Sequence, residues 1–405
     1  MTIPVNIIYS FVITLSFILF GIDYNFGTGL TSNRIGYLLL LFLMVANLMK
    51  FPIINFNWLI ALLLVLSLGF FLVLTDGLNS NSIGFSFGMC LSFLSGFILI
   101  HISSRNSAVL ERIASLFFVI TLSLMVFLII ALHKVGYIPT GRSLRVYIDS
   151  YPGGLNKIIN SICLFLFVFV CSFIYKLRKS TSGRNDLYLK FFAFAVITVC
   201  SYFILFTFSR QGIVFLIFLY CALLIAIFDI SKLNAIFLPV LLLSILFVIS
   251  TNYSQELRLA SEIIERTQNQ LSNSGGSASN RLYNYETAFK MLTESPLGIG
   301  NDKFLSKIGI ASHSSYAAII GGYSLLGLFL LIVLILIAVY HLKRIYKIYG
   351  VASVYLIIAL LVMPLFNDLI QSPQYLLAFA IFIAFATDYK NSKSEVRAYA
   401  SHNSR

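Results

Sequence analysis

Apolar residues run along this chain in long blocks separated by short polar joints and one long polar interruption. Blocks of about 17 to 25 apolar residues are long enough to cross a bilayer as helices. They recur near 4–21, 35–49, 57–75, 82–101, 114–133, 157–175, 189–207, 212–229, 234–250, 316–340, 351–370 and 374–388. The pattern predicts an all-α polytopic membrane protein of about 12 transmembrane helices, with about 11 or 13 left open by the short eighth and last blocks. The first block has neither a basic leader nor a small-residue cleavage signature, and it predicts a retained helix.

The polar interruption, Thr251 to Tyr316, is far longer than a loop in a compact fold usually is, which marks it as functional or disordered. Its apolar residues argue against disorder: Ile263, Ile264, Leu282, Tyr285, Phe289 and Leu292 recur at helical spacing and predict two short helices. The first spans 255–271 and is amphipathic; a Ser-Gly run over 272–277 joins it to the second. Asn280 is a candidate N-cap for that second helix, Arg281 to Glu294, which Pro296 closes. Gly298 and Gly300 then predict a turn that needs unusual dihedrals. The chain thus divides into scaffold helices (1–133), an Arg/Tyr loop (134–156), central helices (157–250), the large loop (251–315), C-terminal helices (316–388) and a tail (389–405).

Composition agrees: 59% hydrophobic residues, 11% charged residues and a mean hydropathy of +0.93 lie far outside the soluble range. The net charge of +13 mostly reflects basic residues retained on the cytoplasmic side, so nucleic acid is not an expected partner. With both termini cytoplasmic, Lys50, Arg105, Arg112, Lys176, Arg178, Lys179, Lys232, Lys343, Arg344 and Lys347 all fall in inner loops. The five cysteines lie inside predicted spans without a CxxC pair and read as inert buried thiols.

Against that bias, a few cations on the outer side call for another explanation, and an anionic ligand supplies one. The outer loop after the fifth helix carries Arg142, Arg145, Tyr147 and Tyr151 with a Pro-Gly-Gly turn, a set suited to phosphate and sugar rings or to lipid headgroups. Arg210 stands between two apolar blocks at the hydrocarbon boundary, where a cation is costly unless it snorkels or is paired. Arg266 and Arg281 lie in the large loop, and His313 and Tyr316 lead into the tenth span. Arginines can hold and neutralise a departing diphosphate, and a histidine can take the proton of an attacking hydroxyl. The combination describes glycosyl transfer from a lipid diphosphate sugar. No metal or cofactor is expected, since the outer segments carry neither an Asp-rich pair nor metal-ligand His/Cys spacing.

Over about residues 200–335 the motifs resemble the O-antigen ligase and polymerase superfamily of membrane glycosyltransferases. They are Thr207-Phe208-Ser209-Arg210-Gln211-Gly212 ending a span, Ser279-Asn280-Arg281-Leu282 opening a helix, Ser295-Pro296-Leu297-Gly298-Ile299-Gly300 closing it, and His313-Ser314-Ser315-Tyr316 before a span with Gly327. The resemblance implies a GT-C-like, metal-independent, inverting transferase in the bacterial inner membrane, with a periplasmic site. Its donor and acceptor would be undecaprenyl-diphosphate-linked oligosaccharides in a lipid environment, with a chain-length regulator and a flippase as partner proteins. By position, Arg210 and Arg281 match the family's diphosphate-binding arginines and His313 its base.

Arg142 and Gly153 also resemble the polymerases' Arg-to-Gly spacing. The sequence departs from the family in having Ser314 where Asn is usual after the histidine, and in Ser324-Leu325-Leu326-Gly327 where Gly-x-x-Gly is usual. These features favour an O-antigen polymerase over a ligase using lipid A core as acceptor. A lipid-linked oligosaccharide transporter would be expected to show internal repeats, and none is found, while a membrane scaffold leaves the outer arginines unexplained.

Overall fold

The computed structural model describes residues 5–22, 31–50, 107–135, 154–179, 183–206, 210–228, 230, 277–308, 314–366 and 372–402. These residues form helices α1 (Val5–Ile22), α2 (Ser32–Lys50), α3 (Ser107–Val135), α4 (Gly154–Lys179), α5 (Gly183–Phe206) and α6 (Arg210–Phe228). After the central gap come α7 (Ser277–Glu294), α8 (Asn301–Ile308), α9 (Ser315–Tyr349), α10 (Ala352–Phe366) and α11 (Pro373–His402). Helices occupy the predicted blocks wherever those are described; the blocks near 57–75, 82–101 and 234–250 lie outside the described residues. Among the described residues three helices are long and apolar enough to cross a membrane, or four if the bent α9 counts as one span, and several apolar helices are shorter. The elements formed by the described residues are all helices, with the apolar character of a membrane protein.

α4 is the axis of the bundle. Its sequence is apolar all round from Ile162 to Tyr175, the pattern of a helix surrounded by others rather than one facing lipid. Leu164, Leu166, Phe167, Val168, Phe169 and Val170 are all completely buried. Helices α1, α3, α5, α6, α9 and α11 all contact it. Aromatic edges lock the packing: Phe17 of α1 meets Phe117 of α3 at 5.2 Å and Phe165 of α4 at 5.0 Å, both edge-on. α3 and α5 turn Val119, Leu122, Val126, Leu187 and Phe191 outward, as a lipid-facing surface requires.

Side-chain bonds define the two ends. At one end Ser10 Oγ of α1 donates to the Val109 carbonyl of α3 (3.1 Å), and Lys179 of α4 pairs with Glu111 of α3 (3.0 Å). Tyr175 and Tyr349, near the C-termini of α4 and α9, stack on Phe385 and Phe382 of α11 at the same end. At the other end Ser161 Oγ of α4 donates to the Gly21 carbonyl of α1 (3.0 Å) and to Gln374 Oε1 of α11 (3.2 Å). A Cβ at Gly21 would lie 2.7 Å from Gln374 Nε2, so a larger residue there would make the Gln374 amide shift.

Pro364 inside α10 has no N–H to offer the Leu360 carbonyl. Tyr375 fills the vacancy, its hydroxyl donating to Leu360 O at 2.8 Å. The Tyr316 hydroxyl donates to the next carbonyl, Leu361 O, at 2.9 Å. Two tyrosines, from α11 and α9, therefore satisfy the stretch of α10 that proline weakens. The four described cysteines, Cys163, Cys171, Cys200 and Cys221, are free and buried, in keeping with inert thiols.

Candidate functional site

α7 starts at Ser277, which corrects the expected start. Asn280 lies inside the helix and is not its cap, and Arg281 opens the second turn. Ala278 between two small serines extends the helix N-terminally, because alanine is the strongest helix former. The buried face is also not the expected one. Asn284, Thr287, Ala288 and Met291 are buried, while Leu282 and Phe289 of the expected apolar stripe are 63% and 55% exposed. This buried face is the one that α7 packs against α9.

The turn after α7 is held in a break of α9. α7 ends at Glu294, as Pro296 predicts. Gly298 and Gly300 both take φ of 87°, a left-handed value that favours glycine. The N–H groups of Ile299 and Gly300 both donate to the Gly322 carbonyl, at 3.0 and 2.9 Å. Leu325 N donates back to the Pro296 carbonyl at 3.2 Å. Between these bonds α9 loses helical geometry at Ser324 (φ 48°, ψ −123°). The Ser324 hydroxyl donates to the Met291 carbonyl of α7 at 2.8 Å. Sequence reading took 316–340 as one uninterrupted span; the small residues that permit a break were visible, but the turn that fills it lies more than twenty residues away.

Space in this joint is minimal. A Cβ on Gly298 would meet Gly322 O at 2.5 Å and Tyr323 Cα at 2.8 Å. One on Gly321 would overlap the Phe304 ring of α8, and one on Gly327 the Ile319 carbonyl. The Pro-Leu-Gly-Ile-Gly sequence is thus explained by its docking into α9.

A second bond reaches the entrance of α9. Ser314 is its N-cap, accepting from Ala317 N, and its hydroxyl bonds the Tyr285 hydroxyl at 2.6 Å. Arg281 precedes Tyr285 by one turn of α7, about 6 Å along the axis. His313 is joined to Ser314 by a peptide bond. The Tyr285–Ser314 bond therefore ties together the two segments that carry them.

Arg210 is the first residue of α6. Tyr316 is partly buried in the first turn of α9, its hydroxyl engaged by Leu361. It borders an apolar cavity of about 230 Å³ between α9, α10 and α11. Arg142, Arg145, Tyr147, Tyr151, Arg266 and His313 lie outside the described residues. Sequence reading missed Tyr285, Ser314 as a cap, and Ser324; the paired hydroxyls of Tyr285 and Ser314 gave no signal, because their partnership is purely tertiary.

Residues 193–325, from the middle of α5 to just past the break in α9, match the Wzy_C family model, described as O-antigen ligase. This region is therefore similar to the O-antigen ligase family. No curated protein matches the chain significantly. The family match ends at Leu325, so it covers the whole joint of α7, the glycine turn and the α9 break. The Tyr285–Ser314 bond, the glycine turn and Ser324 therefore lie within the matched region.

Proposed function

We propose that the protein is an O-antigen polymerase. It transfers a growing glycan from undecaprenyl diphosphate to the non-reducing end of a new lipid-linked repeat unit, at the periplasmic face of the bacterial inner membrane. The observation that carries this reading is the joint itself, in which one hydrogen bond between Tyr285 and Ser314 and one turn seated on Gly322 link the segments of Arg281 and His313. In the proposed mechanism Arg210 and Arg281 hold the donor diphosphate and neutralise the charge that develops as the glycosidic bond breaks. His313 takes the proton from the acceptor hydroxyl, which attacks the anomeric carbon with inversion. Arg142, Arg145, Tyr147, Tyr151 and Arg266 bind the sugars and phosphates, and a chain-length regulator and a flippase act as partners. The chain adopts a GT-C-like arrangement, with both termini cytoplasmic.

A ligase, using the same donor and lipid A core as acceptor, is the second reading, and the description of the matched family names that activity. The polymerase reading draws on the Arg142-to-Gly153 spacing and on Ser324 in place of the family's usual glycine. Complementation separates them. Expression in cells that make lipid-linked repeat units but lack their polymerase is expected to restore a glycan ladder on a gel. Attachment to lipid A core restored only in ligase-deficient cells would make the ligase reading correct.

A further inference from the structure

The apolar cavity beside Tyr316 is a groove with a closed floor and an open side. Leu331 of α9, Leu360 of α10, and Tyr375 and Phe382 of α11 are buried and form the floor. Ile335, Val339 and Leu342 of α9 and Leu361 of α10 stand at the rim and are exposed, Val339 most at 58%. That side is therefore open among the described residues. On α9 the lining positions recur every three or four residues from Leu331 to Leu342, one helix face about 16 Å long. Ala338, the smallest lining side chain, leaves the width.

The walls decide what fits. Both tyrosine hydroxyls are spent on α10, Tyr316 donating to the Leu361 carbonyl at 2.9 Å and Tyr375 to the Leu360 carbonyl at 2.8 Å. They contribute rings, and every other lining side chain is hydrocarbon. A sugar or phosphate in the groove would lose its water and find no partner. The volume of about 230 Å³ is also below the range of about 300–1,000 Å³ for sites that enclose whole small ligands. A single apolar chain lying lengthwise suits it.

Its position selects the chain. Tyr375, beside Gln374, marks one end of the groove, and Phe382, stacked on Tyr349, marks the other. Tyr316 lies at the Tyr375 end, where both hydroxyls meet neighbouring carbonyls of α10. It is three residues from His313, and Ser314 between them bonds Tyr285, one turn after Arg281. A lipid whose phosphates reach these segments would lay its tail down the groove.

We propose that this groove, on the polymerase reading above, holds the isoprenoid tail of the lipid-linked glycan over the stretch next to its diphosphate. Within a bilayer an apolar chain gains nothing from leaving water, so packing in the groove and the contacts of the head select it. Phospholipid chains share the walls but bring no diphosphate to the arginines.

The test uses the full-length protein in neutral detergent and a polyprenyl phosphate carrying a diazirine in the isoprene units next to the phosphate. After photolysis, the labelled positions are mapped by mass spectrometry. Labels are expected on the α9 and α11 peptides that line the groove, competed by undecaprenyl phosphate at concentrations roughly tenfold lower than by phosphatidylglycerol. Ala338→Phe, which fills the groove, is expected to lower this labelling roughly tenfold. Labels confined to other surfaces would overturn the proposal, as would unchanged labelling in Ala338→Phe. Equal competition by phosphatidylglycerol would also overturn it and make this a bulk-lipid site. Should Ala338→Phe not fold, Val339→Trp at the exposed rim is labelled in its place. The probe carries no sugar and undergoes no transfer. Groove labelling without chain growth would therefore count against the polymerase reading alone, and chain growth without groove labelling against this proposal alone.

Discussion

At Ser324 the backbone takes a left-handed φ of 48°, a conformation that costs a non-glycine residue about 1–3 kcal/mol. The serine recovers part of that through its bond to the Met291 carbonyl, about 1 kcal/mol for a typical hydrogen bond. Replacing it separates the two effects. Ser324→Gly loses the bond but relieves the strain, and thermal unfolding is expected to place it close to wild type. Ser324→Ala loses the bond and keeps the strain, and is expected to be destabilised by about 1 kcal/mol. A Ser324→Ala variant as stable as Ser324→Gly would mean that the positive φ is not strained here. The proposed chemistry is tested at the same scale. Arg281→Ala is expected to abolish long glycan chains with protein levels unchanged, read on a glycan gel beside an immunoblot. Arg210→Lys is expected to rescue poorly, because the bidentate fork is lost while the charge is kept. Both arginines were readable from sequence as cations out of place; the strain at Ser324 was not, since serine carries no signature of a left-handed backbone.

Among the elements, the decisive relation is between the glycine turn and the break in α9. Gly298→Ala adds a Cβ against backbone atoms that cannot swing aside, at a φ that alanine resists. It is expected to lower thermal stability by at least about 1–3 kcal/mol and to reduce glycan synthesis with it. Wild-type stability would mean that the turn does not dock as described. Pro364 and Tyr375 form a second relation. Tyr375→Phe leaves the Leu360 carbonyl without its hydroxyl partner, a loss of about 0.6 kcal/mol for a hydrogen bond inside a membrane protein. In a Pro364→Ala background, where the residue 364 N–H can serve that carbonyl, the same substitution is expected to cost less; an identical cost in both backgrounds would remove the link. Helix positions were legible from apolar blocks because each block's own length decides its state. The break in α9, the early start of α7 and its buried face were not, because each follows from a neighbour distant in sequence.

Over the whole molecule, the sequence order of α1, α3, α4, α9 and α11 agrees with the side-chain bonds that define the two ends, so each helix starts and stops at the end its place in the chain requires. That order carries the beginnings of α6 and α9 and the whole of α7 to one end, away from the Lys179–Glu111 pair. The centrality of α4 was legible in its unbroken hydrophobicity. The central claim is that this end extends a lipid-linked glycan. Its most direct test is purified protein in liposomes supplied with lipid-linked repeat units alone, with no lipid A core and no other enzyme, followed by the length of the lipid-linked glycan. Growth of the chain in wild type and its absence in His313→Ala is the predicted result. Repeat units that stay single with folded wild-type protein, or chains that grow equally in the variant, would contradict the account.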